Sequence, residues 1–295
     1  MKKTEYEEKK VISGGMKDYD DLDFTDNFMF CKVLKNNPSL CKQLAQVCTG
    51  ERFGEIVIHK QHEIEIMPDG HGVRFDVCLE DENMICDVEM QVRDKSNLPK
   101  RSRYYQGMVD VDNFEKGEDY QNLRKSFIIF ICLENPFKEK NLHKYTFVNI
   151  CKEDKDLELG DNAVKIFLTP DSIADDISGE LEEFMNFVVK KQGNSDFTKG
   201  LEEAVAAIKR GEGWRWEYMH IKELYDEAHQ SGLKEGEKKG EKKGRAEERE
   251  RGDRDLIEIL ISAGVPKEEI IKNLVQRRGL SEDEANSKIE KYYKK

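Results

Sequence analysis

Residues 127–133 (FIIFICL) are apolar without interruption and rich in β-branched and aromatic side chains. A strand with one wet face alternates polar and apolar residues, so this unbroken run predicts a strand covered on both faces. The chain is therefore expected to build a sheet with helices on both sides. The run is the longest of its kind, whereas a membrane-spanning helix needs about 20 apolar residues. No bilayer crossing is expected.

Neighbouring patterns supply the rest of such a sheet. After Thr25, a candidate N-cap, Phe28, Met29, Val33, Leu34, Leu40, Leu44 and Val47 recur at mostly helical spacing, with a break at Asn36-Asn37-Pro38. Strands are predicted within 55–67, over 73–80 and over 84–92, the last two joined by the polar turn Asp81-Glu82-Asn83. Pro99 opens a helix expected to run to about residue 115, stopped by Gly117. Further strands over 145–151 and 163–168 extend the sheet. Helix, three strands, helix and strand imply an α/β core over residues 24–170.

The formal charge is −12, from 61 acids and 49 bases. Proteins that coat nucleic acid depend on clustered Lys and Arg to release counterions, so that class is excluded. The excess is uneven: residues 1–233 carry −14, 234–252 hold eight bases against six acids, and 253–295 are neutral. Between Gln91 and Arg103 lie five bases, Arg93, Lys95, Lys100, Arg101 and Arg103, and one acid, Asp94. Local engagement of a polyanion therefore stays open. Seven cysteines, odd in number, without a C-x-x-C pair and mostly within apolar segments, read as buried reduced thiols of a cytoplasmic chain. The charged start MKKTEYEEKK lacks the apolar core of a secretion signal.

Residues 72–91 (GVRFDVCLEDENMICDVEMQ) are the most informative stretch. In extended backbone Arg74, Asp76, Cys78 and Glu80 share one face, opposite Val73, Phe75, Val77 and Leu79. Downstream, Ile85, Asp87, Glu89 and Gln91 share a face opposite Cys86, Val88 and Met90. A four-residue loop pairs Glu80 with Ile85 and hence Asp76 with Glu89; a two-residue loop pairs Asp76 with Asp87 and leaves Glu89 diagonal. Both registers put Asp76 and Glu89 within reach of a common ion. Two opposed carboxylates repel, so the arrangement implies a cation, and oxygen-only ligands with room for water suit Mg²⁺ or Mn²⁺ better than zinc. Gln91 projects beside Glu89, where it can orient a water or a phosphate oxygen.

The order of residues 26–30 (DNFMF), Arg74-Phe75-Asp76, residues 87–91 (DVEMQ) and residues 101–106 (RSRYYQ), followed by residues 118–120 and 126–132, resembles the PD-(D/E)XK nuclease superfamily, and within it the branch of nuclease-family transposases or recombination-promoting nucleases. The resemblance implies a restriction-endonuclease-like αβββαβ core, with a mixed sheet flanked by helices, ahead of an all-α C-terminal extension. It implies catalytic roles for Asp76, Glu89 and Gln91. Metal ligands would be Asp76, Glu89, the Met90 carbonyl and, from the first helix, Asp26. Arg74, Arg101, Arg103 and Tyr105 would meet DNA, the pair 101 and 105 lying on one helical face. Three positions depart from the pattern. Phe75 replaces a proline, Gln91 replaces the usual lysine and so lacks its charge, and Met29 stands where a basic residue is common.

The implied activity is metal-dependent DNA endonuclease hydrolysis with Mg²⁺ or Mn²⁺, linked to recombination, mobile elements or defence. The alternative is a weak or inactive nuclease-fold module that binds DNA or a protein; no residue here supports strand joining. The expected organisation is a loose leader over 1–23, the nuclease-like core over 24–170, a helical extension over 171–231, a charged connector or helix over 232–252 and a small helical unit over 253–295. Within the extension, helices are expected over 173–189 and 197–229. Gly232, Gly236, Gly240 and Gly244 recur every four residues, which reads as a solvated helical or frayed connector with a self-association helix as the alternative, and the C-terminal region reads as a partner, homo-oligomerisation or regulatory element. His59 and His62 read as structural, and Trp214 and Trp216 as helix-packing aromatics. Glycine-rich nucleotide loops are absent from the sequence.

Overall fold

The computed structural model describes residues 16–59, 63–64, 73–93, 96–114 and 116–293. The helical start predicted after Thr25 is two helices, α1 (Asn27–Asn36) and α2 (Pro38–Thr49), divided where Pro38 begins the second. Asp26 rather than Thr25 stands at the N-cap. Next come β1 (Val57–His59), the short strands β2 (Glu63–Ile64) and β3 (Val73–Arg74), β4 (Val77–Glu80) and β5 (Met84–Gln91). Helix α3 (Leu98–Asp112) leads to β6 (Lys125–Cys132), β7 (Lys144–Phe147) and β8 (Ala163–Leu168). Residues 60–62 and 65–72, including His62 and part of the strand run expected within 55–67, lie outside the described residues, as do most of the leader and Asp94 and Lys95 of the basic stretch.

The sheet is mixed, in the order β1-β4-β5-β6-β8-β7. β5, β6 and β8 run parallel, while β1, β4 and β7 pair antiparallel to their neighbours. Its flanking helices make it the α/β architecture expected for a PD-(D/E)XK nuclease fold. β8 sits between β6 and β7, so the last two strands swap places relative to chain order.

The apolar run explains itself here. Phe127, Ile129 and Ile131 of β6 point into one core, together with Val77, Leu79, Cys86 and Val88 and with Phe30, Leu34 and Leu44 of α1 and α2. Helix α4 (Gly179–Lys190) adds Phe184 and Phe187 to that side, and α5 (Asp196–Arg210) adds Leu201. Ile128, Phe130 and Cys132 point the other way, into a core closed by Leu98, Met108 and Val109 of α3. Each fully buried side chain of this size contributes about 1.5–3 kcal/mol. Both layers are therefore anchored on one strand.

Two readings of the alternation need correction. The stretch 73–80 is not one strand: the chain leaves extended pairing at Phe75 and Asp76, and Phe75 joins the α3-side core with Cys78 instead of facing Val77 and Leu79. The stretch expected as one helix over 197–229 breaks at Gly211, where a Cβ would stand 2.7 Å from the Trp214 ring; α5 ends there and α6 (Glu212–Ser262) begins. Trp214 packs on the first core, but Trp216 is 78% exposed and is no packing aromatic.

Contacts divide the chain into residues 1–220 and 221–295. In the second unit the end of α6, α7 (Lys267–Arg278) and α8 (Glu282–Tyr293) enclose Ile257, Ile270, Leu274, Ala285 and Ile289. Several of its charges pair across this small core. Asp253, 1% exposed, lies 3.2 Å from Lys288 and 3.4 Å from Arg278, and Glu250 holds Lys288, Lys291 and the Tyr292 hydroxyl. Residues 232–252 are helical throughout, and a Cβ on Gly232, Gly236, Gly240 or Gly244 would meet nothing within 4 Å.

Candidate active site

The hairpin turn sets the site. Asp81 accepts the Asn83 and Met84 N–H groups on Oδ1, both at 2.8 Å, and the Gly54 N–H on Oδ2 at 2.7 Å. This closed turn fixes Glu80 opposite Ile85 and Val77 opposite Val88, the first of the two registers. One residue further, where β4 bends, Asp76 faces Glu89. The Asp76 N–H donates to Glu89 Oε1 at 2.9 Å, and the Met90 N–H donates to Asp76 Oδ2 at 3.2 Å. In a strand the N–H and C=O of one residue point to the same side, so the Met90 carbonyl also turns toward Asp76. Its side chain is buried in the first core.

From the other elements come Asn27, Arg101 and Tyr105. Asn27 Nδ2 donates to Asp76 Oδ1 at 2.5 Å. Arg101, one turn into α3, donates from one terminal nitrogen to Glu89 Oε2 at 2.5 Å and from the other to Gln91 Oε1 at 2.8 Å. Its guanidinium carbon lies 5.0 Å from the Tyr105 and Phe130 ring centres. Tyr105, four residues on, meets Phe75 edge-on at 5.3 Å. The bend that turns Phe75 toward α3 thus also supports the ring beneath Arg101. Gln91 is oriented at both ends, because its amide nitrogen donates to the Arg93 carbonyl.

Burial governs the electrostatics. Glu89 is 2% exposed, and desolvation, with the charge of Asp76 next, pushes its carboxyl up to about 7 against the Asp76 N–H and Arg101. Desolvation also raises Asp76, opposed by the Asn27 and Met90 hydrogen bonds. Asp87 is fully buried on the same strand face, with neither oxygen partnered; burial and its two acidic neighbours hold its carboxyl well above the usual range. Tyr105 is pushed up to about 12, first by burial and then by Glu89.

The structure gathers Asp76, Glu89, Met90, Gln91, Arg101 and Tyr105. The other candidates are placed elsewhere. Asp26 accepts from Lys17 Nζ and the Asp23 N–H, each at 2.8 Å, so the helix-borne partner of Asp76 is Asn27, its neighbour. Arg103 is exposed on α3, and Arg74 is exposed on β3, which pairs with β2. Met29 is fully buried, so no phosphate contact arises at that position. His59 contacts Glu80 at 3.2 Å. Two features had no clear signal in the sequence: Asn27, which differs from Asp26 only by a step of helical rotation, and the bridge from Arg101 to both Glu89 and Gln91.

Among the described residues no three His, Cys, Asp or Glu side chains cluster as a metal cage. The Asp76 and Glu89 carboxylates lie beside the Met90 backbone, and Glu89 shares Arg101 with the Gln91 amide oxygen; carboxylate, carbonyl and amide oxygens are the donor types that suit a hard divalent cation completing its shell with water. No helix among the described residues is long and apolar enough to cross a membrane, and all seven cysteines are free thiols, five of them buried. No curated protein and no solved structure matches the chain significantly. The family model described as PD-(D/E)XK nuclease family transposase matches residues 21–170, the segment that carries both α1 and the hairpin, and the chain belongs to that family.

Proposed function

We propose that the chain is a divalent-metal-dependent DNA endonuclease, with Mg²⁺ as the ion and Mn²⁺ as the other that suits the donors. The observation that carries this reading is the closed pair of Asp76 and Glu89, each bonded to the other's strand, with Met90 and Gln91 beside them. Nucleases of this superfamily generally use divalent ions. Asp76, Glu89 and the Met90 carbonyl would hold the ion. When bound, it supplies Lewis-acid polarisation of a phosphate and lowers the pKa of a coordinated water.

The chain's own residues do the rest. Gln91, fixed at both ends, orients its amide oxygen at the edge of the site. Arg101 brings a guanidinium to the place where the family pattern has a lysine, and its planar fork suits a phosphate. Tyr105 and Phe130 carry that guanidinium on their faces. The transposase label suggests a setting in recombination, mobile elements or defence, and the free thiols suit a cytoplasmic location. Self-association through 232–295 remains part of the proposal; it fails if deletion of that region leaves the oligomeric state unchanged.

Supercoiled and linear DNA incubated with Mg²⁺ test the activity. Intact protein is expected to cut, and Asp76→Ala and Glu89→Ala proteins to lose at least about 100-fold in rate; equal cutting by all three would overturn the assignment. Gln91 in the lysine position motivates a second reading, a non-catalytic module that binds DNA or a protein. Retained Mg²⁺ affinity that disappears in Asp76→Asn protein would count against it.

A further inference from the structure

All four carboxylate oxygens of Asp76 and Glu89 already accept a hydrogen bond. Two of the donors are backbone N–H groups, of Asp76 itself and of Met90, and the hairpin fixes them. The other two are side chains that can rotate away: Asn27 on Asp76 Oδ1 and Arg101 on Glu89 Oε2. An ion shared by both acids meets least resistance at these two oxygens. Asn27 is neutral and yields at the cost of one hydrogen bond. Arg101 is a full positive charge in a half-buried position, resting on two rings, at the oxygen the ion needs.

We infer that Arg101 is a built-in stand-in for the metal: it holds Glu89 and Gln91 in place while the site is ion-free, and it must release Glu89 Oε2 for a divalent ion to be held. This rests on the metal-site reading above. Arg101 is thus a positioning residue that competes with the ion. Two cations cannot share one buried carboxylate oxygen cheaply, since their repulsion is weakly screened away from water. Release frees the same guanidinium for a phosphate, so ion and DNA reinforce one another's binding.

The test is Mg²⁺ titration of the full chain by calorimetry at pH 8.5. Arg101→Met and Arg101→Gln proteins are each expected to bind Mg²⁺ at least about ten-fold more tightly than the intact chain while cutting DNA more slowly. Arg101→Lys retains the charge and is expected to stay within about three-fold of the intact affinity. The rise in melting temperature with added Mg²⁺ gives the same ranking independently. Equal or weaker binding by the two uncharged variants would overturn the inference, because a residue that only orients Glu89 loosens the site when removed. If the intact chain, the Arg101 variants and Asp76→Asn protein all fail to take up Mg²⁺, the metal-site reading falls and this inference with it.

Discussion

Glu89 makes the ion-free fold sensitive to pH in an unusual direction. Its carboxyl is raised from 4.5 to about 7 by burial and by Asp76, so between these values the folded chain holds a proton that the unfolded chain has lost. Stability then falls as pH rises through that window. The gap is worth about 3 kcal/mol at about 1.4 kcal/mol per pH unit. Below pH 4.5 both states are protonated and the penalty vanishes; above about 7 it is complete. Urea unfolding followed by tryptophan fluorescence suits the measurement, since Trp214 and Trp216 both lie in residues 1–220, the unit that contains Glu89. In EDTA, the intact protein is expected to lose about 3 kcal/mol more than Glu89→Gln protein between pH 5 and pH 8. Saturating Mg²⁺ at pH 8 should restore most of that loss. Parallel stability curves for the two proteins would refute the reasoning, because they would mean that Glu89 ionises as freely in the fold as in water.

Asn27→Ala removes a donor from Asp76 and is expected to slow cleavage about ten-fold, whereas Asp26→Ala should leave the rate within about three-fold; the DNA-cutting assay separates them. Leu274→Ala opens the small core of residues 221–295 and should cost about 2–5 kcal/mol, read as early loss of helical circular dichroism with the fluorescence transition in place. Alanine at Gly232, Gly236, Gly240 and Gly244 meets no neighbour, so the quadruple variant should stabilise α6 by about 1 kcal/mol per site; a lower melting temperature would show that these glycines are covered in the native assembly.

The site was legible in the sequence wherever a residue's role follows from alternation or from helical spacing. Asp76, Glu89 and Gln91 fall together because period 2 puts the last two on one face and a closed hairpin brings the first across, and Arg101 and Tyr105 fall together because they are four apart. The sequence leaves the register open, and the Asp81 carboxylate decides it by gathering two turn N–H groups, a contact that turn composition permits without dictating. Alternation misled at Phe75, because it assumes unbroken extension and the chain bends there. Asn27 was hidden beside Asp26: adjacent helical residues differ by about 100° in direction, and a sequence alone does not fix which one meets a strand far along the chain. Gly211 ends a helix early because a Cβ there would stand 2.7 Å from the Trp214 ring three residues on; that ring is held by its packing on the first core, which spacing alone does not show.

The acidic balance of the chain and its proposed engagement with a polyanion meet in the same few side chains. Asp76, Asp87 and Glu89 are three acids in one desolvated patch with Arg101 as the neighbouring base. Burial and like charge push Asp87 toward its neutral form; counted with Asp87 neutral, Asp76 and Glu89 ionised and Arg101 charged, the patch carries −1. A phosphate approaching this ion-free face is repelled, and Arg101 is occupied. A divalent cation bound as proposed would reverse the sign to +1 and free the guanidinium at the same time. Asp87 matters in this balance through what it withholds: as a neutral acid it leaves the reversal intact, whereas an ionised Asp87 would reduce the loaded patch to zero. Asp87→Asn should therefore be close to silent in Mg²⁺ affinity at pH 8, above the range in which Glu89 titrates. A loss of more than about ten-fold would show that Asp87 is ionised and belongs to the ion's own shell.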